Sequence, residues 1–360
     1  MATIKRTESA TWTVRYRDPS GHQRRTTFKK HSEARAFRAQ VETAILAGTY
    51  IDRTATRLSF GAWSSKWLGT RIHHLKPKTA DGYESLLRVH LLPRWADTPL
   101  HAIDYLDVEA FIADLVESGL SPSRVRQAHQ LLGMILKAAV RSRRLGINPA
   151  EGVSLPRANT RVMKYLDSDE VAHLAEAIPS RYQAWVYVAA YGGLRWAELT
   201  GLKRKRVNLL RRRLVVAETL SEVRGELIWT DTKNHGTREV VLPGFVVDDL
   251  THHLDHYTTP EPDGLVFTTD SGTPLRSPNF RRNIWLPAIR EAKLDGLTPH
   301  HLRHTCASLL ISEGGHPRQV MEHLGHSSIA VTMNTYGKVF PDDMDDLADR
   351  LEDRHRSRRA

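Results

Sequence analysis

The sequence predicts a multidomain α+β chain. A small β-sheet backed by one helix comes first, then an all-α helical bundle, then a mixed, mainly helical domain with a small antiparallel sheet. Three observations carry this reading. Strand-like runs, alternating apolar with polar residues at Thr11 to Arg17, are confined to a short N-terminal stretch and to one stretch between residues 214 and 242. Residues 59 to 145 read as helical throughout. The 360 residues, 40% of them hydrophobic, are enough for two or three cores.

In chain order, Thr11 to Arg17 (TWTVRYR) alternates bulky with polar residues, Asp18 to Gly21 make a turn, and a second strand-like run follows at Gln23 to Phe28. Ser32 is a plausible cap for a helix whose Ala34, Phe37, Val41 and Ile45 share one face. Helices are then expected at 59–69, 79–92, 104–118 and 122–143. The last is the best signalled: Ser121 caps it, Pro122 fits the first turn, Val125, Leu132, Ile135 and Ala139 recur at helical spacing, and Gly146 ends it. From Gly146 to Met163 periodicity is lost and two prolines appear, as in a linker. Strands follow near 214–219, 226–230 and 238–242, and helices near 280–292, 299–313, 316–323 and 328–335, giving an α+β domain. The expected boundaries are 1–56, 57–150, a linker at 151–162, 163–340, and a tail helix at 341–360 with Met344, Leu347 and Leu351 on one stripe.

The charge is +11, and it is unevenly spread. Residues 1 to 58 hold 12 basic and 5 acidic side chains, residues 59 to 158 hold 13 and 9, and residues 159 to 360 hold 27 of each. A polyanion is the obvious partner, and it concerns the first 158 residues. In the N-terminal sheet Arg15, Arg17, Arg24, Arg25, Lys29 and Lys30 crowd together, and a short β-ribbon can enter a DNA major groove while its cations neutralise phosphates. On the best-signalled helix Arg124, Arg126, Lys137 and Arg141 line the polar face. The alternative for either set is a solvated basic surface. No apolar run reaches the length of a membrane span, and the start lacks the apolar core of a secretory signal, so a cytoplasmic protein without a membrane partner is expected. The single cysteine, Cys306, excludes an internal disulfide and any zinc site built from several thiolates.

Four segments of the last domain carry reactive polar residues: Gly193-Leu194-Arg195-Trp196-Ala197-Glu198, Thr232-Lys233-Asn234 with Thr237-Arg238, His300-His301-Leu302-Arg303-His304-Thr305, and Leu324-Gly325-His326 followed by Tyr336. In this order and spacing they resemble the tyrosine recombinases, the phage integrases and their relatives. Upstream, the bundle ending in Asn148-Pro149-Ala150 resembles the family's core-binding domain, and the sheet-plus-helix resembles the arm-binding domain of phage-type integrases.

The chemistry has its own logic. Breaking a phosphodiester without a metal requires charge neutralisation on the pentacoordinate phosphorus, and guanidinium groups supply it through paired hydrogen bonds; Arg195 and Arg303 fit. A nucleophile that stays bonded to the broken strand keeps its bond energy for rejoining, and the Tyr336 phenol fits. The resemblance further implies that Lys233 protonates the leaving 5′ oxygen, that His300 is the acid/base that takes or orients the Tyr336 proton, and that His326 donates to the phosphate. Glu198, one helical turn after Arg195, is expected to hold an arginine or a backbone N–H. Two departures from the family pattern are Tyr191-Gly192-Gly193, where a threonine often precedes the glycine, and His301, where an aspartate is common.

The resemblance implies a site-specific integrase acting through a 3′-phosphotyrosyl intermediate and a Holliday junction, as a homotetramer on core and arm sites of double-stranded DNA in a prokaryotic host cell, with no cofactor. It admits a host DNA-bending protein and a recombination directionality factor as assistants. Other readings are weighed beside it. A non-enzymatic DNA-binding regulator leaves the four segments unexplained. A type IB topoisomerase shares the chemistry but has no need of two N-terminal DNA-gripping modules. A metal held by His300, His304 and their histidine neighbours lacks a carboxylate or cysteine to complete the set.

Overall fold

A computed structural model describes residues 2–19, 21–47, 50, 58–157, 164–232, 236–340 and 344–356. The chain divides into two compact units, 1–160 and 161–360.

The first unit contains two separate hydrophobic cores. Strands β1 (Thr3–Arg6), β2 (Trp12–Arg17) and β3 (Gln23–Phe28) form an antiparallel sheet in that order, with Ile4 opposite Val14 and Trp12 opposite Phe28. Because successive side chains alternate faces, Ile4, Trp12, Val14, Tyr16 and Phe28 turn together toward α1 (His31–Leu46), which buries Ala34, Phe37 and Val41. Lys30, not Ser32, stands at the N-cap of α1; Ser32 lies inside the first turn.

The second core belongs to helices α2 (Phe60–Arg71), α3 (Pro77–Leu86), α4 (Leu92–Trp95), α5 (Tyr105–Glu117) and α6 (Pro122–Arg141). On α6, Val125, Ala128, Leu131, Leu132, Ile135, Leu136 and Ala139 are buried at three- and four-residue spacing. Ser121 accepts the Arg124 N–H as its cap, but the helix stops at Arg141, well before Gly146, and Arg143 takes the left-handed conformation (φ +55°) that reverses the chain. The Asn148-Pro149-Ala150 turn is then tied back: Asn148 donates to the Gly133 carbonyl (3.2 Å) and accepts the Ala150 N–H (3.1 Å).

The second unit contains α7 (Ser168–Ala177), α8 (Gln183–Gly192), α9 (Trp196–Thr200), strands β4 (Val207–Asn208), β5 (Arg213–Val216), β6 (Glu218–Val223), β7 (Glu226–Asp231) and β8 (Arg238–Val241), then α10 (Gly244–Tyr257), α11 (Ser277–Phe280), α12 (Leu286–Glu291), α13 (Pro299–Ser312), α14 (Pro317–Leu324), α15 (Ile329–Tyr336) and α16 (Met344–Arg356). Its core runs through α8, whose Ala184, Trp185, Val186, Val188, Ala189 and Ala190 are all buried. The strand expected at 214–219 is two strands. β5 pairs with β4 and β8, whereas β6 pairs with β7 in a separate ribbon, and the change of partner falls at Ala217.

The helices expected at 79–92 and 280–292 each contain a π-helical turn, Leu87–Leu91 and Arg281–Trp285, with a proline two residues beyond, Pro93 and Pro287. Proline lacks an N–H and its ring crowds the carbonyl four residues back, so the ladder widens locally instead of breaking. No helix among the described residues is long and apolar enough to cross a membrane.

Candidate active site

The site is assembled from segments that are far apart in sequence, and each is held by a local device. Gly193 ends α8 in the left-handed conformation (φ +62°); a Cβ there would stand 2.5 Å from Leu324 and 2.9 Å from the Cys306 sulfur. Only glycine permits that approach, and it presents the Gly193 carbonyl to Arg303. The chain then turns so that Arg195 becomes the N-cap residue of α9.

Helix α13 starts with Thr298 as cap and Pro299 in the first turn, and His301 accepts the Thr298 N–H through Nδ1 (3.0 Å), closing a capping box. The position where an aspartate is common in the family is thus held by a histidine that caps the helix. His300, Arg303 and His304, at spacings of three and four, share one face. Helix α14 ends at Gly325 (φ +67°), where the His326 N–H returns to the Met321 carbonyl (3.0 Å), and α15 ends on Tyr336.

Arg303 is 3% exposed. Its two terminal nitrogens donate to the carbonyls of Gly193 (2.5 Å) and Leu324 (2.6 Å), which lock the guanidinium between the first and last segments. Burial first, and then the neighbouring Arg195 cation, bring its pKa down to about 10, so it stays charged at neutral pH. Arg195 donates to Glu198 (2.7 Å) and to the Gly325 carbonyl (3.2 Å).

Glu198 is 2% exposed. It accepts the Arg195 backbone N–H (2.9 Å) as well as its side chain, and it is gripped bidentately by Arg238 at 3.1 and 2.7 Å. Burial alone would raise its carboxyl; Arg238 and Arg195 overcome this and hold it at about 2. Arg238 also donates through Nε to the His323 carbonyl (3.2 Å), and a Cβ on Gly325 would meet its side chain at 2.8 Å. Arg238 thus ties the α9 segment to the turn before His326.

His326 pairs through Nδ1 with the buried Thr332 hydroxyl (2.9 Å). Burial first, then Arg303, Arg195 and Arg238, hold its ring at about 4, so it is neutral, and in the tautomer that accepts the Thr332 hydroxyl at Nδ1 the ring hydrogen sits on Nε2, available to an acceptor. Its plane lies nearly parallel to the Tyr336 ring (9°, 6.2 Å between centroids). Tyr336 is 2% exposed among Cys306, Ala307, Val320 and Leu324, and burial pushes its phenol up to about 12. Its hydroxyl lies 2.8 Å from His304 Nδ1. His300 is exposed and stands edge-on to His304 (4.9 Å), with its pKa lowered by desolvation and by Arg303.

The structure therefore brings Arg195, Glu198, Arg303, His326 and Tyr336 into one network, with His300 at its rim. Lys233 lies outside the described residues. Its neighbours are fixed: the buried Thr232 hydroxyl donates to the Gly236 carbonyl (2.7 Å), and two residues later Arg238 grips Glu198. Sequence reasoning placed two groups among the reactive segments without giving them a part in this site. Arg238 carries a signal, since Arg238, Val240 and Leu242 form the inward row of a strand, and a cation in such a row needs a buried partner. His304 shares a helical face with His300 and Arg303, but nothing in the sequence places it against Tyr336. Among the described residues, no three His, Cys, Asp or Glu side chains are gathered to hold a metal.

The basic residues divide. Arg15, Arg17 and Arg25 stand with Lys5, Thr13 and Thr27 on the sheet face away from α1, and Lys29 and Lys30 are exposed just beyond it. Arg24 does not join them: it lies on the Tyr16 face and pairs with the buried Asp18 (3.0 Å). On α6, Lys137 and Arg141 are exposed, Arg124 reaches Gln127 (3.3 Å), and Arg126 is spent on the Pro156 carbonyl (3.1 and 2.8 Å).

Comparison with known proteins adds the following. A family model described as the phage integrase family matches residues 164–342, and one described as the phage integrase N-terminal SAM-like domain matches residues 59–116. A putative prophage phiRv2 integrase of Mycobacterium tuberculosis is 27% identical over 343 residues, 92% of this chain and 89% of that protein. The tyrosine recombinase XerC of Pseudomonas aeruginosa is 30% identical over 263 residues, 71% and 82% respectively. Among solved structures, the Tn1549 transposon integrase in complex with a circular intermediate DNA is similar with a TM-score of 0.72 at 20% identity, covering 82% of this chain and 99% of that one. A lambda integrase tetramer bound to a Holliday junction gives a TM-score of 0.56 at 17% identity, covering 90% and 95%.

Proposed function

The chain belongs to the phage integrase family of tyrosine recombinases, and from that premise we propose how its residues cleave and rejoin DNA. One observation carries the assignment: Arg303, buried and still charged, bonds both the Gly193 and Leu324 carbonyls, which brings the Arg195, His300, His326 and Tyr336 segments around one point. Arg195 and Arg303 bind the nonbridging oxygens of the scissile phosphate. His326 donates Nε2–H to the same group. The Tyr336 hydroxyl attacks phosphorus, the 3′-phosphotyrosyl bond forms, and Lys233 protonates the departing 5′ oxygen. A free 5′ hydroxyl of the partner strand reverses the step through a Holliday junction.

Residues 1–56 grip arm-type DNA through the outer sheet face that carries Lys5, Arg15, Arg17 and Arg25, and 57–150 grip the core site. The linker at 151–162 joins these to the catalytic domain, 163–340, and the tail helix, 341–360, packs on its own domain or on a neighbouring protomer. The working assembly is a homotetramer on DNA, as in the lambda integrase structure, in the cytoplasm of a prokaryotic host, aided by a DNA-bending protein and a directionality factor. The test is a Tyr336→Phe chain. It should retain DNA as the wild type does and form no covalent protein–DNA adduct on denaturing gels; an adduct retained by this variant overturns the assignment.

A further inference from the structure

The resemblance makes His300 the group that takes or orients the nucleophile's proton, whereas the geometry puts another histidine on the reacting atom. Among the described residues the hydrogen-bond partner of the Tyr336 hydroxyl is His304, at 2.8 Å through Nδ1, with the two rings edge to face at 5.6 Å. His300 is exposed and meets His304 rather than Tyr336. His304 is on the same rigid helix as Arg303, one residue on, so whatever fixes the phosphate-binding guanidinium also fixes the imidazole.

We propose that His304 is a catalytic residue of this recombinase, the acceptor of the Tyr336 proton during strand cleavage. With the phenol protonated, its hydroxyl donates to Nδ1 and the neutral His304 ring carries its own hydrogen on Nε2. As Oη bonds to phosphorus, the phenolic hydrogen passes to Nδ1 and leaves an imidazolium. The phosphorus–O5′ bond breaks, and the departing oxygen takes its hydrogen from a separate donor, for which Lys233 is the candidate. Rejoining runs backwards: the 5′ hydroxyl attacks as its hydrogen returns to that donor, the phosphorus–Oη bond breaks, and Nδ1 returns its hydrogen to the phenolate. Burial and the neighbouring His300, His301, Arg303 and His326 keep the free ring neutral and thus able to accept, and an arriving phosphate anion offsets the cations that disfavour the imidazolium.

The proposal rests on Tyr336 being the nucleophile. It is tested with the full chain on a nicked duplex that the wild type captures covalently from a randomised pool. His304→Ala and the smaller change His304→Asn, which keeps a polar group without basicity, should each slow single-turnover adduct formation about 100-fold while DNA retention is unchanged. Fluorinated tyrosine at position 336, whose phenol is more acidic, should restore most of that loss in both variants and none of it in Arg303→Ala. Rates within about threefold of wild type, failure of the fluorinated residue to restore them, or restoration confined to His300→Ala overturn the proposal. An adduct that persists in Tyr336→Phe is a separate failure, that of the nucleophile itself.

Discussion

Arg238 opens a strand yet behaves as the keystone of the candidate site. It satisfies both oxygens of a carboxylate that is shut away from water, and that carboxylate in turn holds Arg195 by side chain and backbone. Removing one partner of a buried pair leaves the other charged and alone, which costs about 3–5 kcal/mol, whereas removing both costs far less. Denaturant melts should therefore show Arg238→Met strongly destabilised and the Glu198→Gln/Arg238→Met double variant considerably less so; additive losses count against the clamp.

A second residue-scale expectation concerns acid. His326 and His304 sit at about 4 in the folded chain, against 6.5 for an ordinary imidazole, because burial and adjacent cations favour the neutral rings. The unfolded chain then binds more protons between those limits, so stability is present above about 6.5 and falls progressively as the pH drops toward 4. Thermal melts across this window should fall less steeply for His326→Asn than for the wild type. Arg195, Arg303, His326 and Tyr336 were legible in the sequence as candidates, because phosphate chemistry demands those residue types in recognisable surroundings. The partners of Arg238 and His304 were not, since they are chosen only on folding; of the two, Arg238 alone carried a signal, as a cation in the inward row of a strand.

At the scale of elements, local signals named most of the helices, and partner choice escaped them. Leu214 to Thr219 reads as one strand because nothing in the residues marks Ala217 as the place where one sheet is left for another. Helix α8 is buried on all sides, so it has no polar stripe and shows only as an apolar run. The neck formed by Thr232 and Gly236, described residues on either side of Lys233 in the sequence, belongs to this scale too. Thr232→Val removes the bridging hydroxyl at nearly constant volume. It should slow cleavage of an ordinary phosphodiester roughly tenfold through poorer protonation of the leaving oxygen, and leave unchanged the cleavage of a substrate with a 5′-bridging sulfur, which departs unprotonated. Equal slowing on both substrates would assign the neck a purely structural part.

For the whole molecule, the positive charge excess lies in the first 158 residues, whereas the rest carries equal numbers of basic and acidic side chains. Gripping DNA and cutting it are thus expected to separate. Reversing Arg15, Arg17 and Arg25 together to glutamate should abolish efficient integration on substrates with arm sites and leave core-site cleavage near wild type; the salt dependence of arm binding should shrink by about three phosphate contacts. Arg24→Ala should leave that dependence unchanged, because Arg24 is already committed to Asp18.

The pairing of Arg15 with Arg25 across β2 and β3 has a further meaning. Two like charges directly opposite on an exposed face repel, and Lys5 and Arg17 stand on the same face. That strain makes the sheet an ionic-strength gauge with two opposed readings. Added salt screens the repulsion and should raise the melting temperature of the N-terminal sheet, while the same salt should compete for the phosphates and loosen the hold on DNA proposed for it. DNA itself would act as the missing counterion, so the sheet should gain protection from hydrogen exchange on binding, most of all at low salt.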